Sequence, residues 1–438
     1  MSVAATGVGG SVRWRSRLGP GTTPGRLRLA LVALVTASLA WGALTGFTVS
    51  QYSSAAASVV TTSEPLTLDA QQIYHDLSDA NDTASTAFLV GGLQPFSLVS
   101  RYQRDVSAAS IAIEAATALG GESPEEATLA RDLPVYTGQI ATARADSRLG
   151  YPLGTAYLRK ASDLMNGVLL PAARRMYAAD NSRLTANSSQ ATGLPLMLVT
   201  IVAGLAIGYA LFRVSRWLTR HTKRVLNPGL LIAGLAWAIS LVWLAVAYTG
   251  AHTDLLRAQA RGSVPVQALA RADIVALQAH ADESLTLVDN SGDDQYQADY
   301  LAKQRSLGPG PGTLLAAAMA AAPGGSPGAH AAAAHAAAAH AAAWNAAHAA
   351  LRAADDSGDH AVAVASALGT GPGDAGGQFA AFSAAMTSGV NADQVAFDTS
   401  ARAGGNRYSG LEAALIGLAL TMAVASAWGL TRRLLEYR

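Results

Sequence analysis

The sequence predicts an all-α integral membrane protein with four transmembrane helices and two extracytoplasmic helical-bundle domains. Three observations predict this class: four long apolar runs, basic residues on only one side of those runs, and helical periodicity in both long loops. Only 14% of the 438 residues are charged, whereas 50% are hydrophobic. Soluble proteins carry about a quarter charged residues, so much of this chain is expected to avoid water.

The four apolar runs cover residues 29–49, 194–212, 229–249 and 410–430. Each is long enough to cross a hydrocarbon core, which takes about 20 helical residues. Glu412, at the outer edge of the fourth run, is the only charged residue in them. Backbone groups in lipid must bond within their own segment, so the runs are predicted to be helices.

Basic residues near the ends of the runs predict the orientation. They lie in the N-terminus 1–28, the short loop 213–228 and the tail 431–438, and they are Arg13, Arg15, Arg17, Arg26, Arg28, Arg213, Arg216, Arg220, Lys223, Arg224, Arg432, Arg433 and Arg438. Cytoplasmic loops are rich in Lys and Arg. We therefore predict a multi-pass plasma-membrane protein with both termini cytoplasmic and with loops 50–193 and 250–409 outside.

Small and aromatic residues within the runs carry weaker signals. A cleaved signal peptide is an alternative for the first run, but the run is long for one. The pairs Gly42/Gly46 and Gly204/Gly208 have the spacing of close helix contacts. The tryptophans Trp41, Trp237, Trp243 and Trp428 are interpreted as interface anchors or lipid-facing residues.

The first loop shows helical periodicity along most of its length. Its seams comprise Leu66, Ile73, Leu77, Ala80, Ala84 and Ala87, then Val99, Tyr102, Val106, Ala109, Ile113 and Ala116, then Leu129, Leu133, Tyr136 and Ile140, then Leu158, Ala161, Met165, Val168 and Ala172. Three- and four-residue alternation is typical of helical bundles. Ser123-Pro124-Glu125-Glu126 predicts a helix start. Pro134 and Pro171 are expected to kink or end their helices.

The second loop repeats this plan with seams at Leu277, Ala281, Ser284 and Val288, at Trp344, Ala347 and Leu351, and at Phe379, Phe382 and Met386. Asp82 and Asp282 occupy similar places in the two loops. These likenesses predict a tandem duplication of one span–bundle–span unit. Each loop is expected to form an independent bundle, with its first and last helices continuous with the membrane helices.

An Ala/Gly/His-rich insert occupies residues 308–347 of the second loop. His330, His335 and His340 suggest a metal site, but five-residue steps place them about 140° apart on a helix. Chelation on a helix favours three- or four-residue spacing. We therefore favour repeat drift on an exposed helix, and we expect no metal and no cofactor.

Motifs for catalysis are missing from the sequence. It has no phosphate-binding glycine loop, no nucleophile elbow, no kinase motif set and no helical zinc motif. The chain has no cysteine, which excludes thiolate chemistry. The sequence therefore predicts a protein that is not an enzyme, and it indicates no nucleic-acid partner.

Asp82 and Asp282 are candidate polar positions inside the bundles, because each adjoins a seam of small residues. A buried carboxylate needs a hydrogen-bonding or cationic partner. Arg101 or Tyr102 is a possible partner for Asp82, and Tyr300 or Lys303 for Asp282. We take Asp82, Arg101, Tyr102, Asp282 and Tyr300 as ligand or signalling candidates. A solvated helix face with chance correspondence is the alternative.

Several short motifs carry a family resemblance. They are Leu133-Pro134-Val135-Tyr136-Thr137-Gly138, continuing through Ala143-Arg144-Ala145-Asp146 to Gly150, Pro152-Leu153-Gly154 and Ala156-Tyr157-Leu158-Arg159, together with Ala80-Asn81-Asp82, Ala281-Asp282-Glu283, Ala353-Ala354-Asp355-Asp356 and Gly358-Asp359. With these motifs and its four-span layout, the chain resembles the actinobacterial GlnX-like membrane proteins. The His/Ala tract departs from that pattern.

The resemblance implies a membrane relay between an extracytoplasmic glutamine/glutamate-type solute-binding lipoprotein and the cytosolic Ser/Thr protein kinase G. On this interpretation the short basic loop, with Arg213, Arg216, Arg220, Lys223 and Arg224, contacts the cytoplasmic partner. The alternatives are a cell-envelope scaffold and an accessory subunit of a transporter. Membrane lipids are expected partners, and a homo-oligomer stays open.

Overall fold

The computed structural model describes residues 23–191, 194–222, 227–258, 264–289, 294–321, 328–406 and 410–435. Within these ranges every regular element is helical, as the sequence predicts. The chain divides into two compact units. We call them the membrane unit (residues 1–54, 191–251 and 405–438) and the loop unit (residues 55–190 and 252–404).

The described part of the chain contains fifteen α-helices: α1 Thr23–Ser58, α2 Glu64–Leu89, α3 Phe96–Gly120, α4 Pro124–Arg148, α5 Leu153–Leu164, α6 Leu170–Ala191, α7 Leu194–Thr222, α8 Pro228–Ala258, α9 Val264–Val288, α10 Gln295–Leu307, α11 Leu314–Ala320, α12 Ala329–Asp356, α13 His360–Leu368, α14 Ala375–Asn406 and α15 Leu411–Leu435. A π-helical turn, Val59–Ser63, joins α1 to α2. The chain is therefore helical without a break from Thr23 to Leu89.

Among the residues that the structure describes, four helices are long and apolar enough to cross a membrane, as predicted. Their candidate spans are Gly25–Ala55, Leu196–Arg220, Pro228–Gly250 and Leu411–Arg432. The helices extend beyond the apolar runs because polar flanking residues continue the same backbone hydrogen bonding. The basic residues Arg213, Arg216 and Arg220 lie on α7, whereas Lys223 and Arg224 lie outside the described residues.

Small residues bring the membrane helices close together. A Cβ added at Gly229 of α8 would lie 2.5 Å from both the carbonyl oxygen of Ala425 and the Cα of Gly429. A Cβ at Gly42 would lie 2.7 Å from the Cβ of Ala419, and one at Gly204 would lie 2.7 Å from the Trp41 ring. Since backbones approach closely only where side chains are small, these glycines mark helix contacts.

Trp41 differs from the sequence interpretation. It is only 1% exposed, and its Nε1 donates a hydrogen bond of 3.2 Å to Oγ of Ser240. Trp41 is therefore a core residue of the membrane unit, because its indole N–H finds a partner within the helix bundle. Trp243 and Trp428 are 46% and 45% exposed, which fits the interpretation.

The first loop forms one helical bundle, made of α2 to α6. Its predicted seams are largely buried around one hydrophobic core, with Leu77, Leu129, Tyr136 and Ile140 fully inaccessible. The predicted helix start at Ser123 is confirmed as a capping box. Oγ of Ser123 accepts from the Glu126 N–H at 3.2 Å, and a Glu126 carboxylate oxygen accepts from the Ser123 N–H at 2.9 Å.

The prolines end neither of their helices. Pro134 lies inside α4. Pro171 follows the π-helical turn Met165–Leu169, just as Pro65 follows the turn Val59–Ser63. A wider π turn accommodates a residue that lacks an N–H and whose ring would clash with the preceding turn. The helical path therefore continues through both positions.

The second loop forms a bundle of α9 to α14 around Trp344, Phe382 and Met386, all fully buried. The His/Ala tract is helix α12, and it packs into this core through Ala334, Ala337 and Trp344. The expectation of an exposed repeat helix is therefore wrong for much of α12. Alanine allows this packing because its short side chain lets neighbouring helices approach closely.

The two bundles keep separate hydrophobic cores but are not independent. Both lie in the single loop unit, and Leu285 and Tyr296 of the second loop join the core of the first. Helices α2 and α9 run parallel, because their contacting residues advance together along the two sequences. The expectation of independent bundles is therefore wrong. The tandem duplication stays a prediction, and the parallel pairing of α2 with α9 favours it.

Candidate functional site

The candidate site is a seam of polar side chains between α2 and α9. Nε2 of His75 lies 3.1 Å from Oδ2 of Asp273 at one end of the seam. At the other end, Oγ1 of Thr86 lies 3.1 Å from Oγ of Ser284. The interfaces between the helices of a bundle are normally apolar, so this polar seam needs an explanation beyond packing. We call these cross-helix contacts, with those of Asp82 and Gln278, the α2–α9 seam.

Gln278 supplies a contact in the middle of the seam. Its Nε2 donates to Oγ of Ser78 at 3.2 Å and to the hydroxyl of Tyr74 at 3.3 Å. A single amide therefore links two turns of the facing helix. Hydrogen bonds at such fixed positions define the register of the two helices, since a slide by one turn would break all of them.

The strongest contact in the seam joins Asp82 to His280. Nδ1 of His280 lies 2.5 Å from Oδ1 of Asp82, and the two residues are 5% and 2% exposed. Burial lowers the pKa of His280, but the Asp82 carboxylate raises it above the ordinary value overall. The pair is therefore a buried ion pair, and removing either partner would leave the other in a dry interior.

Glu283 extends this polar path into the second bundle. Its carboxylate is fully buried, accepts from Nε1 of Trp344 at 3.0 Å and lies 2.6 Å from Nδ1 of His348. Nε2 of His280 is 4.0 Å from the same carboxylate. Asp82 is thus connected through His280 to α12, so a change at α2 can reach the core of the other bundle.

Aromatic rings enclose this path. The His280 ring stacks on Phe379 with centroids 3.9 Å apart, and the His348 ring stacks on Tyr300 at 3.7 Å. Tyr300 is fully buried and lies edge-on to Trp344. These contacts hold both imidazoles in fixed orientations, which the hydrogen bonds to the carboxylates require.

A second cluster of charged groups surrounds His75 at the start of the seam. Its ring lies 3.3 Å from the Asp76 carboxylate as well as near Asp273. Burial lowers the pKa of His75, but the hydrogen bonds to Asp273 and Asp76 outweigh it and raise that pKa to about 10. His75 is therefore a cation at neutral pH, and it bridges carboxylates of both bundles.

Arg101 does not pair with Asp82. Its guanidinium makes a two-point contact with Asp79, at 2.6 and 3.1 Å. One helical turn separates Asp79 from Asp82, and the seam turns Asp82 toward α9. The expected partnership of Asp82 with Arg101 or Tyr102 is therefore wrong, because a residue of the other loop occupies that carboxylate.

Asp282 is 1% exposed and forms an ion pair with Lys303, one of its two expected partners. Burial raises the pKa of Asp282 to about 7, against the opposing effect of Lys303. Tyr300, the other expected partner, contacts Trp344 and His348 instead. Asp82 and Asp282 are both buried, but Asp82 joins the two bundles and Asp282 joins two helices of one bundle.

The comparison with protein families found a similarity in the region of the first bundle. Residues 55–189 match the family described as the actinobacterial sensor domain. The chain is thus similar to actinobacterial sensor-type proteins, and the match supports a sensing or signalling role. The comparisons with curated proteins and with solved structures found no match.

The histidines of α12 do not converge on one point. Nδ1 of His330 lies 2.6 Å from the Asp393 carboxylate, and its Nε2 lies 2.7 Å from the carbonyl oxygen of Ala318. His340 contacts Gln378 at 3.0 Å. Across the described ranges, no group of three or more His, Asp or Glu side chains is placed to hold a metal ion. These histidines serve as helix-to-helix contacts.

Sequence reasoning missed most of the seam. His75, His280, Glu283 and His348 were not candidates, since the sequence does not show which distant residues they meet. One signal was available: α9 carries His280, Asp282 and Glu283 within one turn beside its apolar seam. So many ionisable residues within one turn are unusual for an amphipathic helix with one buried face. The sequence, however, does not reveal their partners.

Proposed function

We propose that this protein is a non-enzymatic transmembrane signal relay. In this proposal an extracytoplasmic solute-binding protein senses an amino acid, and the relay passes its state to a cytosolic Ser/Thr kinase. The sensor-domain match over residues 55–189 carries the sensing part of the proposal. The amino acid, the binding protein and the kinase come from the resemblance to GlnX-like proteins.

The α2–α9 seam supports a relay mechanism. The helical path from Thr23 to Leu89 includes both a candidate span and the α2 side of the seam. A slide or rotation of α2 against α9 would break the polar contacts that define their register. Packed interfaces with discrete contacts switch between defined arrangements. A partner shifts such an equilibrium only if it binds the two arrangements with different affinity.

The inner contact surface in this proposal is the basic end of α7. Arg213, Arg216 and Arg220 are exposed there, and the Lys/Arg distribution predicts that they face the cytoplasm. Exposed basic residues attract acidic protein surfaces and anionic lipids. We therefore propose them as kinase contacts, with lipid headgroups competing for the same side chains.

The test is a deletion strain in which phosphorylation of the kinase's substrate is measured as amino-acid supply changes. We expect the response to disappear on deletion and to return with the wild-type gene. Replacement of Arg213, Arg216 and Arg220 by Ala should not restore it. The matched control replaces the exposed Arg131, Arg174 and Arg175 of the loop unit and should restore it.

An unchanged kinase response in the deletion strain would overturn the relay. If that strain instead showed a weakened envelope or impaired solute uptake, a scaffold or a transporter subunit would replace the proposal. Purification of the native complex separates these outcomes further. A relay should bring down a solute-binding lipoprotein and a kinase, whereas an accessory subunit should bring down transporter components.

A further inference from the structure

A cluster of buried polar atoms without partners lies between α3 and α4 of the first bundle. The atoms belong to Tyr102, Asp105, Tyr136, Gln139 and Arg144, and within the described residues none has a hydrogen-bond partner. Tyr102 is 6% exposed and Tyr136 is fully buried. Buried polar groups in stable proteins are nearly always hydrogen-bonded, so several together on one pair of helices indicate a function.

Arg144, Tyr102 and Tyr136 lie together in this cluster. The guanidinium carbon of Arg144 lies 4.2 Å from the centroid of the Tyr102 ring. The rings of Tyr102 and Tyr136 are 6.4 Å apart, centroid to centroid. Asp105 follows Tyr102 by one turn on α3, and Gln139 follows Tyr136 by one turn on α4. Residues three apart share a helix face, so both helices direct polar groups into the same interface.

Arg144 is the unusual member of the site. Neither its Nε nor its Nη2 contacts a hydrogen-bond acceptor of the described chain. Asp105, the acidic member of the cluster, likewise has a carboxylate oxygen, Oδ2, without a hydrogen-bond partner. A buried guanidinium normally pairs with a carboxylate. Here the cation faces two tyrosines, and its remaining donors are directed at no protein acceptor.

We propose that Arg144, Tyr102 and Tyr136 bind a small molecule that carries a carboxylate. The planar guanidinium offers paired donors that match the two oxygens of a carboxylate. The Tyr102 ring supports the guanidinium from its face, and the two hydroxyls donate to ligand oxygens. Asp105 adds an acceptor on the same interface, so the ligand has a donor, an amine or a hydroxyl, at its other end.

A groove beside the cluster provides space for the rest of such a ligand. It has a volume of about 290 Å³ and is lined mainly by apolar residues such as Val106, Ile113, Leu133 and Pro134, with Ser110, Thr137 and the acidic Glu114 as its polar lining. Val106 follows Tyr102 by one turn, and Leu133 precedes Tyr136 by one turn, so the groove begins about one turn from the two tyrosines along α3 and α4. Its mostly apolar lining beside a few polar groups is the usual composition of a small-molecule site.

This inference goes beyond the proposed relay, because it places a ligand in this chain itself and needs neither a binding protein nor a kinase. It also connects to the α2–α9 seam. Arg101, next to Tyr102 in the chain, holds Asp79 of α2. A ligand that draws Arg144 and Tyr102 together would therefore act one residue away from a contact with α2.

The experiment uses the full chain in lipid nanodiscs and measures thermal unfolding by circular dichroism. The probes are the sodium salts of mono- and dicarboxylic acids with two to six carbons, and the 20 common amino acids, each compared with sodium chloride at equal ionic strength. We expect at least one probe to raise Tm by several degrees. Arg144→Met should abolish the shift and weaken binding by about 100-fold.

The matched control is Arg148→Met, which removes an exposed arginine one turn further along α4 and should keep the shift. Tyr102→Phe and Tyr136→Phe should weaken binding without lowering the Tm of the probe-free protein. Without probes, Arg144→Met should have the Tm of the wild type or a higher one, since it removes a half-buried cation with two buried donors that have no partner.

Three results would overturn the proposal. One is a panel in which no probe gives a shift that depends on Arg144. Another is a probe-free Arg144→Met protein that unfolds at a much lower temperature, because that would show a structural role. The last is a shift that depends on Arg144 with inorganic phosphate but with no carboxylate, because the site would then recognise phosphate.

Discussion

Asp82 of α2 and His280 of α9 form a buried ion pair, with Oδ1 and Nδ1 2.5 Å apart. The two residues are 198 positions apart in the chain and belong to different loops. Each loop contributes one charged member, so neither loop can bury its own member without the other. This ion pair couples the two bundles, so a change in one bundle affects the stability of the other.

The first prediction concerns that pair. Asp82→Asn keeps the size of the side chain but removes its charge, and it leaves His280 buried without a counter-ion. We expect a loss of about 3–5 kcal/mol in the free energy of unfolding. Asp132→Asn, in an exposed pair with Arg131, is the control and should cost about 0–1 kcal/mol. Denaturant unfolding of the purified chain, followed by circular dichroism, measures both.

A double-mutant cycle completes this test. When His280→Asn is added to Asp82→Asn, the further loss in the free energy of unfolding should be smaller than the loss from either substitution alone. The reason is that the second change removes the charge that the first change left unpaired. Additive costs would show that the pair is not coupled. If Asp82→Asn also left kinase signalling unchanged in cells, the seam would be structural only.

The second prediction concerns pH. Burial and the repulsion of Asp79 raise the pKa of Asp105 to about 7 in the fold, from an ordinary value of 3.8. A carboxyl whose pKa is raised by folding favours the folded state at low pH, and that contribution is lost as pH rises through about 7. The free energy of unfolding should therefore fall between about pH 4 and pH 7.

Asp105→Asn tests this assignment, because the amide stays neutral at every pH. The variant should equal the wild type near pH 4 and exceed it in Tm above pH 7. Its unfolding free energy should also change less between those values. A variant with the full pH dependence of the wild type would assign that dependence to other groups, such as Asp282, whose pKa is also raised to about 7.

The third prediction concerns the membrane helices. Gly229→Ala would place a methyl group 2.5 Å from the backbone of α15. The helices must then separate, which we expect to destabilise the protein by about 1–3 kcal/mol. Gly234→Ala is the control on the same helix, since nothing lies within 4 Å of its added Cβ. Thermal stability in one detergent compares the two, and equal stability would contradict the close approach of α8 and α15.

The fourth prediction concerns orientation, which rests on the Lys/Arg distribution. The chain has no cysteine, so single cysteines report without background. Ser107→Cys in the first loop and Ser357→Cys in the second should react with an impermeant thiol reagent in intact cells. Thr431→Cys, at the C-terminal end of the fourth span, should react only after the membrane is opened. All three positions are exposed, and labelling of Thr431→Cys in sealed cells would reverse the orientation.

Local patterns were sufficient to predict the helices, because a helix and its buried face depend on residues only three or four positions apart. Leu77, Tyr136 and Phe382 recur on predicted seams and are fully buried. The Ser123 cap was predictable for the same reason. The burial of Asp82 and Asp282 followed from their place beside small residues, although their roles did not.

The partners of the polar residues were not predictable, because they come from distant parts of the chain. Asp82 meets His280 rather than Arg101 only because α2 lies against α9. His330 was expected on an exposed helix, but it is 3% exposed and contacts Asp393. Arg144 was not a candidate site residue, although it lies in the motif Ala143-Arg144-Ala145-Asp146, since an arginine every few turns is ordinary on a bundle surface.

The sequence by itself determined the helical class, the four spans and the buried faces, because hydrophobicity and spacing act locally along a helix. Tertiary structure alone decided that the two loops share one unit through the α2–α9 seam. It also decided which charges meet there and which polar atoms of Tyr102, Tyr136 and Arg144 find no protein partner. A buried charge depends on the groups that lie within a few ångströms of it. Helix packing brings such groups together from distant parts of the chain, as with Asp82 and His280, which are 198 positions apart.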